Sequence, residues 1–302
     1  MHMSDALVSP AVGAVMWLSS AGLIAWSARR VKQDLDERKV PLMGVMGAFV
    51  FAAQMINIAI PGTGSSGHLG GGLLLAVLLG PHAAFITLFS VLAVQALLFG
   101  DGGLLALGAN AFNLGFFPCF LCYPLLYRTV VGSRTTRARI FTGALLAGVV
   151  GLQLGSLGVV AETSLSGLTD LPPLPFLLVM QPIHLAIGIV EGLATAAVLL
   201  FVTSAGIAVH EATGSRRTAL VLLFAGLLLA GAVSLFASTR PDGLEWSIES
   251  VSSLASSVPP VSEGVSAEPA GALVQSATAI AGTLVTLLVA GLIAFALRRK
   301  AP

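Results

Sequence analysis

What most limits the fold of this chain is a series of apolar runs near twenty residues long, separated by short segments that hold most of its charge. A helix of about 20 residues spans the hydrocarbon core of a bilayer. Inside that core every backbone N–H and C=O must be bonded within the protein. Helices are predicted at about 9–28, 41–60, 69–80, 83–99, 103–131, 139–161, 176–204, 218–237 and 274–297. The third is short, and Pro81 separates it from the fourth. Only 10% of the 302 residues are charged, whereas a soluble domain carries about 25%. The expected fold class is an all-α polytopic membrane protein.

Lys and Arg collect on the cytoplasmic side of such proteins, so they orient the spans. With the amino terminus outside, Arg29, Arg30, Lys32, Arg38 and Lys39 fall inside, as do Arg128, Arg134, Arg137 and Arg139. Arg216, Arg217, Arg298, Arg299 and Lys300 join them, leaving only Arg240 outside. An odd number of spans with a cytoplasmic carboxyl terminus is expected. No basic residue precedes the first apolar run, unlike a secretory signal, so that run is expected to remain as the first helix. Residues 1–213 read as a glycine-rich seven-helix unit, because small residues let membrane helices approach closely. Residues 214–302 read as a two-helix appendage. Its outside loop, 238–272, is rich in Ser, Pro, Val and Glu and reads as mobile rather than folded.

Some chemistries are excluded early. Cys119 and Cys122 are the only cysteines, too few for a disulfide framework or a cysteine zinc site, and they read as helix core. The only lysines are Lys32, Lys39 and Lys300, and none follows Gly-x-x-x-x-Gly. A lysine-containing phosphate loop is therefore absent, and energy for any transport would have to come from partner proteins.

The chain has five histidines and sets one at position 2. The Met1 amine, the His2 backbone nitrogen and His2 Nδ1 can chelate one ion through a five- and a six-membered ring. Three nitrogens in a plane leave one square-planar position, a geometry suited to Ni(II) or Cu(II). His68, in PGTGSSGHLGGG, lies on the same expected side, and its glycine-rich surroundings let backbone approach closely. It is the candidate fourth donor. Gly62, Gly64 and Gly67 also match Gly-x-Gly-x-x-Gly, but without the βαβ context of a dinucleotide site. A rival reading takes Gly-Ser-Ser-Gly at 64–67 as the nucleophile turn of a rhomboid-like intramembrane protease, with Ser66 as nucleophile and His184 as base.

Other polar residues suggest a supporting network. Asp101 stands at the outer edge of the fifth helix. Asn110 and Asn113 are three apart and share a face, pointing into the bundle. His184 and Glu191 share a face seven apart, with Glu191 expected toward the cytoplasmic half, far from His68. Gln54, Asn57, Gln95 and Gln153 are further candidates, and His82 and His210 are expected to be solvated.

MHMSDALVSP resembles the opening Met-His-Ile-x-Asp-Gly-x-Leu-Ser-Pro of the substrate-capture (S) components of nickel and cobalt energy-coupling-factor (ECF) transporters, the NikM/CbiM family. PGTGSSGHLGGGLL, GDGGLLALGANAFN and HLAIGIVEG are similar to that family's further signatures, in order, over residues 1 to about 210. Met3 and Ala6 replace the usual aliphatic residue and glycine. The resemblance places metal ligands on the Met1 amine, the His2 backbone nitrogen and ring, and the His68 ring. PDGLEWS at 241–247 and its flanking helices resemble the accessory component NikN, fused here, and such fusions favour nickel over cobalt. The resemblance implies a non-enzymatic metal-binding component of an ABC-type importer in a bacterial or archaeal cell membrane. Its partners would be a transmembrane coupling (T) component and cytoplasmic ATPase (A) components, with no nucleic acid. Ni(II), or alternatively Co(II), would be cargo rather than cofactor. A metal sensor is a further rival.

Overall fold

The structure, a computed structural model, describes residues 1–34, 39–204, 216–256 and 269–298. Its helices are α1 (Pro10–Asp34), α2 (Lys39–Gln54), α3 (Gly72–Leu79), α4 (Pro81–Phe99), α5 (Leu107–Val131), α6 (Arg137–Ser166), α7 (Pro173–Ser204), α8 (Arg216–Gly231), α9 (Gly243–Ser256) and α10 (Pro269–Leu297). Among the described residues, seven helices are long and apolar enough to cross a membrane, while α2 and α3 are shorter. The protein is a mostly helical, multi-pass membrane protein. His210 lies outside the described residues.

The second predicted helix stops early. It ends at Gln54, and β1 (Ile58–Ala59) pairs antiparallel with β2 (Ser66–Gly67), Ile58 opposite Gly67. This hairpin turns the glycine-rich loop back toward the bundle, where Ser65, Ser66, Gly67, Gly70 and Gly71 are buried. Gly71 holds φ +78°, and a Cβ there would lie 2.5 Å from a Val50 methyl. A Cβ on Gly72 would lie 2.6 Å from the Leu114 carbonyl oxygen. Only glycine permits this descent at both places. In α5 the backbone widens to i→i+5 bonding from Phe112 to Tyr127, a stretch that contains Pro118 and Pro124. Each proline lacks an N–H and crowds the preceding turn, so regular α-helix bonding cannot pass through.

Small residues bring α6 and α7 together: a Cβ on Gly148 would lie 2.8 Å from the Gly192 nitrogen, and one on Gly188 2.9 Å from the Val149 Cα. Without a hydrophobic driving force between helices in lipid, such close backbone contact supplies the packing. The C-terminal helices seat on α2, where a Cβ on Gly44 would lie 2.9 Å from the Leu287 carbonyl oxygen and one on Gly226 3.2 Å from the Phe49 Cα. Large side chains such as Leu18, Leu165 and Phe224 point outward, as expected for faces against lipid.

Two expectations are corrected here. The 238–272 loop is not featureless, because α9 occupies 243–256 and packs on α7. Composition counted its serines and glutamates but missed the helix-start signal at Asp242. His82 is half-buried rather than solvated, with its ring 4.4 Å from Trp26, edge-on, and Nδ1 3.3 Å from Ser27 Oγ.

Candidate metal site

The amino-terminal segment lies inside the protein. Met3 is fully buried, and the Asn110 amide grips its backbone twice: Met3 N–H donates to Oδ1 at 2.7 Å, and Nδ2 donates to the Met3 carbonyl at 3.0 Å. The Gly103 N–H donates to the same carbonyl. Asp5 accepts from the Ala106 N–H, closing the segment against the start of α5. A buried backbone must find such partners, and α5 supplies them.

This clamp delivers the Met1 amine, on a residue only 5% exposed, to His68 and Asp242. The nitrogen stands 3.2 Å from His68 Nε2 and donates to Asp242 Oδ2 at 2.5 Å. His68 Nδ1 lies 3.2 Å from the Leu69 carbonyl, which suits a neutral imidazole that donates from Nδ1 and accepts from the Met1 amine at Nε2. Burial, with help from the nearby amine charge and His2, lowers the His68 pKa to about 3, so the ring is uncharged near neutrality. The His2 ring stacks on His68, centroids 5.0 Å apart and planes 6° from parallel. His2 Nδ1 lies 3.1 Å from Asp101 Oδ1, and its buried Nε2 has no partner among the described residues. Chelation through Nδ1 therefore requires the His2 ring to turn away from Asp101.

Asp101 and Asp242 both hold their carboxyls well below the usual range. Burial, the largest single effect in each, opposes ionisation, but His2, His68 and the amine together outweigh it at Asp101, and the amine, His68 and the Glu245 N–H together outweigh it at Asp242. Above these groups opens a vestibule of about 180 Å³ lined by His2, His68, Asp101, Asp242, Glu245 and Gln54, among others. Among the described residues its walls carry three carboxylates and no Lys or Arg, a setting that draws in cations.

Glu191 is not far from His68, contrary to expectation. Its carboxylate accepts the Gly70 N–H at 2.6 Å and the Gly71 N–H at 3.1 Å, while Gln54 Nε2 donates to the Gly70 carbonyl. The loop holding His68 is thus pinned two residues beyond it. The dip of the glycine loop into the bundle, rather than any shift of α7, brings them together.

Asn113 Nδ2 donates to Glu162 at 2.7 Å. The Ser66 and His184 pairing needed for a protease does not occur among the described residues. Ser66 Oγ lies 2.7 Å from the Arg240 carbonyl, and His184 Nδ1 lies 2.9 Å from the Met180 carbonyl in its own helix. His184 Nε2 is buried with no partner among the described residues, beside a cavity of about 10 Å³ that also touches Met1, His68 and Asp242. Cys119 and Cys122 are buried and free, as core residues should be. Among the described residues, no three His, Cys, Asp or Glu side chains gather as a metal cluster.

Sequence reasoning missed Asp242. It opens α9: its Oδ1 accepts from the Leu244 and Glu245 N–H groups at 2.8 and 2.9 Å, and Glu245 accepts the Asp242 N–H at 3.1 Å. That reciprocal capping box was readable in Asp-Gly-Leu-Glu, but its reach to residue 1 was not.

Comparison with known proteins agrees with this architecture. Residues 2–209 match the family described as the cobalt uptake substrate-specific transmembrane region, CbiM, and residues 216–268 match the PDGLE domain. The "Probable fused nickel transport protein LarMN" of Lactiplantibacillus plantarum is 34% identical over 260 residues, covering 82% of this chain and 78% of that protein. The fused nickel transport protein NikMN of Rhodobacter capsulatus is 40% identical over 114 residues, 38% of this chain and 33% of that one. A crystal structure of a truncated transition metal transporter superposes with a TM-score of 0.59 at 33% identity, covering 68% of this chain and 99% of that one. The chain belongs to the CbiM family and carries a C-terminal PDGLE domain fused to it, in the manner of the NikM–NikN fusions.

Proposed function

We propose that the protein is the metal-capturing component of an ECF-type importer for Ni(II). The ion is taken from outside into a square-planar site of four nitrogens: the Met1 amine, the His2 backbone nitrogen, His2 Nδ1 and His68 Nε2. The observation that carries the reading is a buried Met1 amine 3.2 Å from His68 Nε2, with Nδ1 of the same ring held on a carbonyl. A free amine, an amide and two imidazoles form an all-nitrogen set that suits planar Ni(II). The amine and the amide each lose a proton as the ion binds. Asn110 and Glu191 hold the two ligand-bearing segments, and the carboxylate-lined vestibule concentrates the cation at the mouth.

The amino terminus and vestibule lie outside and the carboxyl terminus in the cytoplasm, in line with the placement of Lys and Arg. Residues 1–213 act as the capture unit and 214–302 as a NikN-like accessory unit. A transmembrane coupling component and cytoplasmic ATPases supply the energy. The fused relatives named for nickel favour that ion; the family's description, which names cobalt uptake, favours Co(II) as the second reading.

The test is metal analysis of purified, untagged protein after exposure to Ni(II) or Co(II), with the spin state of bound nickel. One diamagnetic Ni(II) per chain, lost in His68→Ala, is expected. Failure to retain either ion, or octahedral paramagnetic nickel, overturns the four-nitrogen site.

A further inference from the structure

We propose that Asp242, supplied by the PDGLE unit, completes the metal site of the CbiM unit as a positioning residue that fixes the Met1 amine. This rests on the nickel reading above and adds a residue from the second unit to it. The two carboxylate oxygens divide their work. Oδ1 caps α9 through Leu244 and Glu245, and Oδ2 takes the amine. Because the cap fixes the carboxyl group, its second oxygen has a fixed direction, which a flexible surface aspartate would lack.

The strap that carries Asp242 is itself tied to the CbiM unit. The Ser66 N–H donates to the Pro241 carbonyl at 2.8 Å, and the Ser238 N–H donates to the Asn57 carbonyl at 2.7 Å. A Cβ on Gly243 would lie 2.5 Å from an Ile187 methyl, so this glycine lets α9 start directly against α7. The carboxylate is therefore held from both units and meets the amine at the site's centre. Beside the pair, His184 Nε2 is buried with no partner among the described residues, next to the cavity of about 10 Å³ shared with Met1, His68 and Asp242. A space of that size admits about one water, which would tie His184 into the same group.

The charge that Asp242 faces is the same before and after loading. One divalent ion displaces one proton from the amine and one from the His2 amide, and both protons leave to solvent. The local charge stays at +1, so the carboxylate need not move when metal arrives. Removing it takes away the counter-charge in direct contact with that buried +1 and frees the amine to wander, and both effects weaken capture.

The experiment uses the full chain and the Asp242→Asn variant. Asn remains a good helix cap, so the change removes the charge while keeping α9. Two readouts are taken: acylation of the Met1 α-amine by an N-hydroxysuccinimide ester without metal, followed by mass spectrometry, and titration with Ni(II). Met1 acylation should rise several-fold, and nickel affinity should fall about 10- to 100-fold, the range for partners that orient a ligand. Asp242→Ser, another capping residue without charge, should repeat both results, and Asp242→Glu should recover part of the affinity. Unchanged acylation, or raised acylation with unchanged nickel affinity, overturns the proposal. If wild-type protein binds no nickel, the nickel reading fails, while the acylation arm still reports whether Asp242 holds the amine.

Discussion

The CbiM unit and the PDGLE unit use the membrane differently. The first buries Gln54, Asn110, Asn113, Glu162, His184 and Glu191 among its helices, and most of their bonds run to backbone or amides of the same unit. The second buries mainly Ser and Thr, and its carboxylate at the site sits beyond the apolar part of its helices, at the capped start of α9. Polar groups in hydrocarbon are expensive and are kept where they serve a function. On the proposed reading, loop shaping and ligation fall to the first unit, and one contact at the site to the second.

The strongest way to break this division is at the amino terminus. A long amino-terminal tag turns the Met1 amine into a peptide nitrogen. Nickel affinity should then fall by more than about 100-fold, beyond the loss of an orienting partner. The same tag at Pro302 should change uptake little. Full nickel uptake by inserted, amino-tagged protein would remove the first unit's ligands from the scheme. One extra residue before Met1 gives X-X-His, which can fill four planar positions alone. Metal should then bind without His68, but transport with partners should fail.

His68→Ala comes next. The loop stays pinned by Glu191 and Gln54, so the fold should survive while nickel affinity falls by about 100-fold or more, measured by titration and thermal unfolding. Wild-type affinity would sink the fourth donor. Removal of 216–302 should leave a folded, inserted unit that binds nickel about 10- to 100-fold more weakly. A loss equal to that of Asp242→Asn would mean the second unit acts on binding through one residue. A larger loss would mean that the strap also shapes the loop.

Glu191→Ala strands two buried N–H donors, which should cost about 1–3 kcal/mol of stability and about 10-fold in affinity, although Glu191 touches no proposed ligand. Unchanged melting and binding would show that the glycine loop holds itself. The smallest effect is expected for Ser66→Ala, which gives up one hydrogen bond of about 1 kcal/mol. Uptake should persist, whereas a serine protease would lose all activity.

Much of this was legible in the sequence, for a physical reason. Apolar length fixes where helices can cross, and the helix starts and ends at α6, α7 and α10 fall within a few residues of those predicted. His2, His68 and the glycines between 62 and 72 stood out in the sequence, and the structure stacks the two rings beside the Met1 amine. The errors have separate causes. Placing Glu191 by counting along α7 assumed that the 61–72 loop stayed at the membrane surface, and two buried glycines carry it inward instead. Asp242 was missed because composition described the loop as a whole, while the informative unit was the four residues Asp-Gly-Leu-Glu. A cap can be read locally, but a partner 241 positions away cannot.

That separation bears on how the molecule is made. Bringing residues 1 and 242 together closes a loop of most of the chain, and contacts of such span form late because the ends must find each other after local structure has condensed. Helices that insert one after another can seat α1 through α7 with the amine still unmatched. The salt bridge to Asp242 forms only once α9 is in place. A half-assembled chain would then expose a loose amine and two imidazoles without holding an ion firmly. Competence for capture would mark the end of assembly, and a cell would be spared partly built proteins that sequester scarce metal.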